Sequence, residues 1–577
     1  MTRGVALGAA LLAPALAAAQ LLPPQPESSS GWTPKRLART KHYMVAAASP
    51  LAVDAGVAML ERGGSAVDAA IAAQLVLNLV EPSSSGLGGG AYLMHYDAKS
   101  KSVSALDARE TAPAGATPAL FLKRDGEAMS FGEARVGGRS VGTPGTPRLL
   151  EVAHARFGKL PWKALFDPAI ALAEKGFALS QRQAHLVAAE RGFADEPAAR
   201  AYFFDAHGKP KAAGTIQRNP ELAATLRAIA EHGADAFYTG DIARDIAAAV
   251  RGHRNPGTLS QADLAGYRVR DVEPVCGPYR KWKLCGVPPS SSGGIAVLQI
   301  MGALERRDMS GVRPNSAEAV HLKAEAERLA FADRAKYVAD DRFVDVPVKG
   351  LIDPEYIAAR AGLIRAEKSM VRATAGTPAG ARSPYAPALA DEAVGTSHLS
   401  IVDADGNAVS MTTSIESAFG SHLMVRGVLL NNELTDFSFA PAGDSGPVAN
   451  RVEPGKRPRS SMAPFVVLDA GTGTLDMVVG SPGGSFIIGY VSKVLIGVLD
   501  WNLDVQKAID LPNAGSRNGP TEIERGTELE RVEPALKAIG HDVRVIEMTS
   551  GLHAVRRASG GWEGGADPRR EGVARGR

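Results

Sequence analysis

The chain has 577 residues, 45% of them apolar and 22% charged, which is enough to bury at least one large core and excludes a wholly disordered polymer. Its 65 Lys and Arg against 62 Asp and Glu leave a formal charge of +3, too little to serve as a basic footprint for nucleic acid. Two cysteines cannot make a disulfide scaffold or, by themselves, a four-ligand zinc site, and neither a metal nor another cofactor is expected.

Residues 1 to 19 open with one positive charge at Arg3, continue through an apolar run over 4 to 16 and end in Ala17-Ala18-Ala19. This pattern predicts a secretory signal; a membrane anchor is the weaker reading, because the run is short of the roughly 20 residues a spanning helix needs. The expected product is exported, periplasmic or secreted, with no stable membrane span and a mature charge of 64 minus 62, or +2. Helical spacing follows over 51 to 62 and 65 to 80, with Gly63-Gly64 between them and Ser65 placed as a cap. Further helices are predicted at 147 to 157, 161 to 175, 218 to 232, 234 to 251, 291 to 306, 316 to 338 and 354 to 366. Cys276 and Cys285 flank an alternating, hairpin-like segment, and export makes a disulfide between them as reasonable as two buried thiols. The stretch from Ala373 to Ala393, rich in Pro, Gly, Ala and Ser, reads as exposed and poorly structured. Beyond a boundary near 395, short strands are predicted at 396 to 403, 408 to 415, 427 to 431, 463 to 469 and 474 to 479, then a helix near 485 to 501. The tail from Gly560, dense in Gly and Arg, is expected to be partly frayed.

Two motifs fail on context. Gly86-Leu87-Gly88-Gly89-Gly90-Ala91 matches a dinucleotide fingerprint, but a helix precedes it and a strand follows, the reverse of what that site needs. Gly138-Arg139-Ser140-Val141-Gly142 matches a nucleophile elbow, yet two prolines follow where a helix should begin. The segment from Thr396 to Ser414 is more informative, for it reads as two strands around Asp405-Gly406. A three-residue loop with Gly406 left-handed pairs positions summing to 810, so that Leu399 meets Met411 and Ile401 meets Val409. The same register sets Thr396 opposite Ser414, within reach of a hydroxyl-to-hydroxyl hydrogen bond. Residue pattern alone leaves two readings open, a reactive pair or a Thr/Ser ladder on a sheet face.

The segments Gly395-Thr396-Ser397-His398-Leu399-Ser400-Ile401-Val402, Asn431-Asn432-Glu433-Leu434-Thr435-Asp436-Phe437-Ser438, Arg457-Pro458-Arg459-Ser460-Ser461-Met462 and Gly480-Ser481-Pro482-Gly483-Gly484-Ser485 occur in that order. With them the chain resembles the γ-glutamyltransferases, or glutathione hydrolases. The likeness extends upstream through Gly63 to Ala70, Arg109-Glu110-Thr111-Ala112-Pro113, Gly142 to Thr146, Pro288 to Gly294 and Ala324-Glu325-Ala326-Glu327. It implies an α+β fold of the N-terminal-nucleophile hydrolase type, a four-layer αββα sandwich made as one precursor. It also implies a cut between Gly395 and Thr396, giving a large subunit (20 to 395) and a small catalytic subunit (396 to 577).

The resemblance assigns roles by position. Thr396 becomes the nucleophile, and its freed α-amine, with a reference pKa of about 8, becomes the base. Ser414 falls where relatives commonly have threonine, and so keeps the hydroxyl without the methyl that restricts χ1. Gly483 and Gly484 match the oxyanion hole. Arg109 matches the clamp on a substrate α-carboxylate, assisted by Ser460 and Ser461, while Glu433 and Asp436 match acceptors for the α-ammonium. Glu416 stands where many relatives have asparagine and others glutamate. From Ala440 to Gly455 there is no aromatic residue of the kind that forms a lid in some members, which predicts an open site. The expected substrates are glutathione and other γ-glutamyl compounds, with water, an amino acid or a dipeptide as acceptor. The alternatives are a cephalosporin or glutaryl acylase with the same self-cut threonine, and an exported binding protein without turnover.

Overall fold

The computed structural model describes residues 29–382, 384–388 and 395–577; the expected signal at 1 to 19 lies outside them. Two seven-stranded antiparallel sheets form the centre. The first runs, in spatial order, Ala38–Thr40, Gly561–Ala566, His553–Ala558, Leu475–Gly480, Phe465–Asp469, Trp282–Gly286 and Val275–Tyr279. The second runs Val573–Gly576, Met44–Ala47, Thr396–Val402, Ala408–Ser414, Gly90–Asp97, Ser102–Ala108 and Arg270–Val272.

Strand alternation decides what each face meets. In the second sheet Val45, Ala47, Leu93, Leu399, Ile401, Val409 and Met411 point outward, into a core shared with the helices Pro50–Glu61 and Ala66–Val80. Met44, Ala46, Tyr92, Met94 and Tyr96 point inward, into a core shared with the first sheet and the helices Gly293–Glu305, Ala317–Tyr337 and Ile487–Leu499. The layers are therefore helix, sheet, sheet, helix. Every residue of Ala66–Val80 is buried, and its start is fixed by a capping box in which Ser65 Oγ accepts from the Asp68 amide at 3.2 Å. Among the described residues no helix is long and apolar enough to cross a membrane.

Most sequence-based boundaries hold to within two residues, but the helix expected over 354 to 366 ends at Ala361 and that over 161 to 175 is split into a 3₁₀ turn, Trp162–Leu165, and the helix Asp167–Lys175. Three further differences are informative. The segment expected as one helix over 234 to 251 is broken at Thr239 into Asp235–Tyr238 and Gly240–Gly252. The strand expected over 427 to 431 shrinks to Val428–Leu429. The Gly560 tail is not frayed: Gly561–Ala566 and Val573–Gly576 are strands, one in each sheet. Its glycines mark close packing, since a β-carbon on Gly564 would lie 2.8 Å from Met44 Sδ and one on Gly576 1.9 Å from the Tyr43 carbonyl oxygen. From Ala373 to Ala393 the described residues form no helix or multi-residue strand, and 383 and 389 to 393 lie outside the described residues. Cys276 and Cys285 are directly paired neighbours on antiparallel strands and are joined in a disulfide.

Candidate active site

The strands Thr396–Val402 and Ala408–Ser414 pair in the register that sums to 810, with Gly406 at φ 84° in the turn. Thr396 therefore stands opposite Ser414, and its Oγ1 donates to Ser414 Oγ at 3.4 Å. Ser414 Oγ in turn donates to the Gly395 carbonyl oxygen at 2.6 Å and accepts from the Glu416 amide at 2.8 Å. The glycine run at 86 to 90 packs closely against the strand that ends at Ser414: a β-carbon on Gly89 would lie 1.9 Å from the Ser414 carbonyl oxygen. Behind the pair the seam between the sheets is polar. His398 bonds Thr412 Oγ1 at 2.8 Å and Ser400 Oγ at 3.0 Å, and burial pushes its pKa well down, so the ring is neutral.

Nine of the ten proposed catalytic and substrate-binding residues line one small cavity: Arg109, Thr396, Ser414, Glu416, Glu433, Asp436, Ser460, Ser461 and Gly484, joined by Met462 and Ile487. The tenth, Gly483, precedes Gly484 in the turn that opens the helix Ile487–Leu499; the two adopt φ of 134° and 55°, which side chains disfavour. That turn brings the positive end of a helix to the cavity wall.

Arg109 leaves the strand Ser102–Ala108 and is 1% exposed. Its guanidinium ion-pairs with both Glu433 and Asp436, and also donates to the backbone oxygens of Pro458 at 3.3 Å and Arg459 at 3.1 Å. Glu433 and Asp436 occupy one 3₁₀ turn, Glu433–Asp436, held by Asn431, whose Oδ1 accepts the Glu433 amide at 3.0 Å. Glu416 sits at φ 79° in the turn leaving Ser414, and this strained conformation aims its carboxyl at the cavity. Asn432 Nδ2 and Ser417 Oγ both donate to it, at 2.6 and 2.5 Å. Burial, reinforced by mutual repulsion, pushes Glu416 and Glu433 well above the usual carboxylate range, and burial raises Asp436 as well.

Sequence reasoning missed three contributors. Glu110 is fully buried beside Arg109, and burial lifts its carboxyl to about 8. Asn432 and Arg334 act through neighbours, the first on Glu416 and the second on Ser461, to which Arg334 Nη2 donates at 2.8 Å. Glu110 and Asn432 lie inside quoted motifs, whereas nothing in the spacing of Arg334 marks it. The stretch Ala440 to Gly455, expected to leave the site open, carries an exposed two-residue hairpin, Ala442–Gly443 with Gly446–Pro447; in the continuous chain Thr396 is 4% exposed. Elsewhere His321, Glu325 and His541 come within metal-ligand reach of one another. Both rings are engaged, His321 Nδ1 with His541 Nε2 at 2.7 Å, His321 Nε2 with the Arg365 oxygen at 2.7 Å and His541 Nδ1 with Thr521 Oγ1 at 2.7 Å. Glu325 takes Arg328 Nε at 3.0 Å, so a cation there would face a guanidinium.

A family model described as gamma-glutamyltranspeptidase matches residues 52–576. The glutathione hydrolase proenzyme of Bacillus subtilis (strain 168) is 39% identical over 480 residues, 82% of this chain and 80% of that protein. That of Escherichia coli (strain K12) is 35% identical over 575 residues, 97% of this chain and 96% of that protein. The crystal structure of cephalosporin acylase from Bacillus halodurans superposes with a TM-score of 0.83 at 27% identity, covering 96% of this chain and 99% of that one. Likeness over nearly the whole described chain, in sequence and in superposed fold, has one conclusion: the chain belongs to the gamma-glutamyltranspeptidase family.

Proposed function

We propose that the protein is a γ-glutamyl hydrolase and acyltransferase that cuts its own chain between Gly395 and Thr396. The observation that carries the reading is the Thr396, Ser414, Gly395 chain of hydrogen bonds at the mouth of a cavity that also holds Arg109, Glu433 and Asp436.

In the precursor, Thr396 Oγ attacks the Gly395 carbonyl carbon while the Ser414 hydroxyl polarises its oxygen. The acyl group passes from the Thr396 nitrogen to its oxygen, and water hydrolyses the ester, leaving a Gly395 carboxylate and a Thr396 α-amine. Residues 20 to 395 and 396 to 577 then form the large and small subunits. In turnover the amine takes the Oγ proton, Oγ attacks the γ-glutamyl carbonyl, and the backbone at Gly483 and Gly484 stabilises the developing oxyanion. The leaving amine takes the proton, and water or an amino acid or peptide amine then releases the acyl group from Thr396.

Substrate choice follows from the Arg109 ion pairs. A donor that carries both an α-carboxylate and an α-ammonium exchanges these internal pairs for two new ones, whereas a glutaryl group would part Arg109 from Glu433 and Asp436 and leave those carboxyls without a cation. This argues against the acylase reading, which the likeness to the Bacillus halodurans structure keeps as the second one. The export reading rests on residues 1 to 19 alone. The deciding experiment is N-terminal sequencing of the small fragment together with turnover of γ-glutamyl and glutaryl anilides, with and without a dipeptide acceptor. A fragment beginning Thr396-Ser397-His398 and a strong preference for the γ-glutamyl donor are expected; equal turnover of the two anilides would establish the acylase.

A further inference from the structure

The strand that begins at Thr396 lies inside its sheet, but it is not flanked along its whole length. Ala408–Ser414 pairs with all of Thr396–Val402, whereas Met44–Ala47 pairs only from Leu399 onward. Among the described residues, Thr396, Ser397 and His398 therefore have a neighbouring strand on one side only. In the continuous chain Gly395 tethers the first of them. A cut between Gly395 and Thr396 removes that tether and leaves a chain end, which frays unless something ties it down.

A tie is present on the helix side of the sheet. Alternation sends Ser397 to the same face as Leu399 and Ile401, toward the helix Ala66–Val80. There Ser397 Oγ donates to Glu81 Oε2 at 2.6 Å and accepts from Ser85 Oγ at 3.2 Å. Glu81 ends that helix, where a carboxylate opposes the helix dipole, so local helix preference does not account for it. Charge holds it instead: Arg182 Nη1 lies 3.4 Å and Arg570 Nη1 4.0 Å from its Oε1. The serines that follow reach the partner strand's exit as well, for the Ser84 oxygen accepts the Ile415 amide at 3.2 Å and the Ser83 oxygen the Phe419 amide at 3.1 Å. The segment 81 to 85 thus grips both the residue after Thr396 and the chain leaving Ser414.

We infer that Glu81 is a positioning residue: through Ser397 it holds the chain end made by the cut in register, so that the Thr396 amine and hydroxyl stay opposite Ser414. The bond runs from the small subunit to a buried carboxylate of the large one, and such charge-assisted bonds are stronger than neutral ones. The inference rests on the proposed function.

The test compares two rates in the same variants, self-cut of the full chain and turnover of the γ-glutamyl anilide by the cut enzyme. In Ser397→Ala kcat should fall about tenfold, the size expected for one bond to a charged group. KM should stay within about twofold, because one amine serves both formation and release of the acyl-enzyme and Ser397 does not line the cavity. Self-cut should also stay within about twofold of wild type, since Gly395 still tethers the uncut end. A general defect in folding would slow both. Ser397→Thr, which keeps the hydroxyl, should recover most of kcat, and Glu81→Gln, which keeps an acceptor without the charge, should fall between. These two serve if the alanine variant does not fold. Glu81→Gln should add little to Ser397→Ala in the double variant. Equal slowing of self-cut and turnover, an unchanged kcat, or additive effects in the double variant would overturn the inference. A wild-type chain that stays whole on denaturing gels, or that cuts and turns over no γ-glutamyl anilide, would instead overturn the proposed function on which it stands.

Discussion

The Ser414 hydroxyl donates to the carbonyl oxygen of Gly395 at 2.6 Å, across the strand pair from the residue that follows that carbonyl. A donor at this point would stabilise the oxyanion of the proposed attack by Thr396. Removing one oxyanion donor costs on the order of 10² to 10³ in rate, so Ser414→Ala should slow the self-cut by about that factor. Ser414→Thr, which keeps the hydroxyl, should cut at close to the wild-type rate. The readout is the time course of full-length and paired bands on denaturing gels. A Ser414→Ala chain that cuts as fast as wild type would remove Ser414 from the processing step.

The register behind that contact was legible from Leu399, Ile401, Val409 and Met411, because a single slip would have turned them away from the helices. Seven of the ten residues expected to form the site, Thr396, Glu433, Asp436, Ser460, Ser461, Gly483 and Gly484, lie in four short motifs, and that is why the sequence could pick them out as a group that the fold then brings to one cavity, with Gly483 beside it. Pairings between distant segments were not legible, since spacing says nothing of which strand lies beside which. The tail shows the difference, for its glycine density looks like disorder yet Val573–Gly576 pairs with Met44–Ala47, the strand next to Thr396–Val402. Deleting residues 573 to 577 from the uncut Thr396→Ala chain should therefore cost about 2 to 4 kcal/mol, the yield of several backbone bonds at roughly 1 kcal/mol each. Denaturant melts of the two chains measure it, and coincident midpoints would show that the tail is dispensable.

Glu416 combines a left-handed backbone at φ 79° with a buried carboxyl that Asp436 and Glu433 repel. Both features oppose folding. Asparagine tolerates that backbone region better and carries no charge, so Glu416→Asn should stabilise the protein by about 1 to 2 kcal/mol. It should retain turnover, and if Glu416 joins Glu433 and Asp436 in the proposed recognition of the donor ammonium, its preference for the γ-glutamyl over the glutaryl anilide should fall. A melting midpoint lower than wild type, or an unchanged preference, would show that the Glu416 carboxyl is neither a burden nor a selector.

Glu110 gives the stability a pH dependence of known sign. Burial lifts its carboxyl from the ordinary glutamate value to about 8, so between roughly pH 4.5 and 8 the folded chain holds a proton that the unfolded chain has lost. The contribution of this group is full below the unfolded pKa and is lost as pH rises through 8. One such proton tilts stability downward by up to about 1.4 kcal/mol per pH unit. Glu110→Gln should flatten that slope, measured as the urea midpoint of the Thr396→Ala chain from pH 5 to about 8.5. Parallel slopes in the two chains would mean that Glu110 is ionised in the fold.

The turn at Gly483 joins backbone conformation to rate. Its φ of 134° excludes an ordinary side chain, and a β-carbon there would lie 2.7 Å from Tyr490 Cε2, a ring stacked against Phe486. Gly483→Ala must therefore shift the turn, and with it the backbone at Gly483 and Gly484 that is proposed to form the oxyanion hole. Amides that stabilise only the developing oxyanion affect kcat and leave the ground state alone, so kcat should fall by about 10² to 10³ while KM for the γ-glutamyl anilide changes little. Pairing the variant with Tyr490→Leu, which makes room for the new methyl, should recover part of the loss if displacement of the turn is the cause. Unchanged kcat in Gly483→Ala would move the oxyanion hole to another part of the cavity wall.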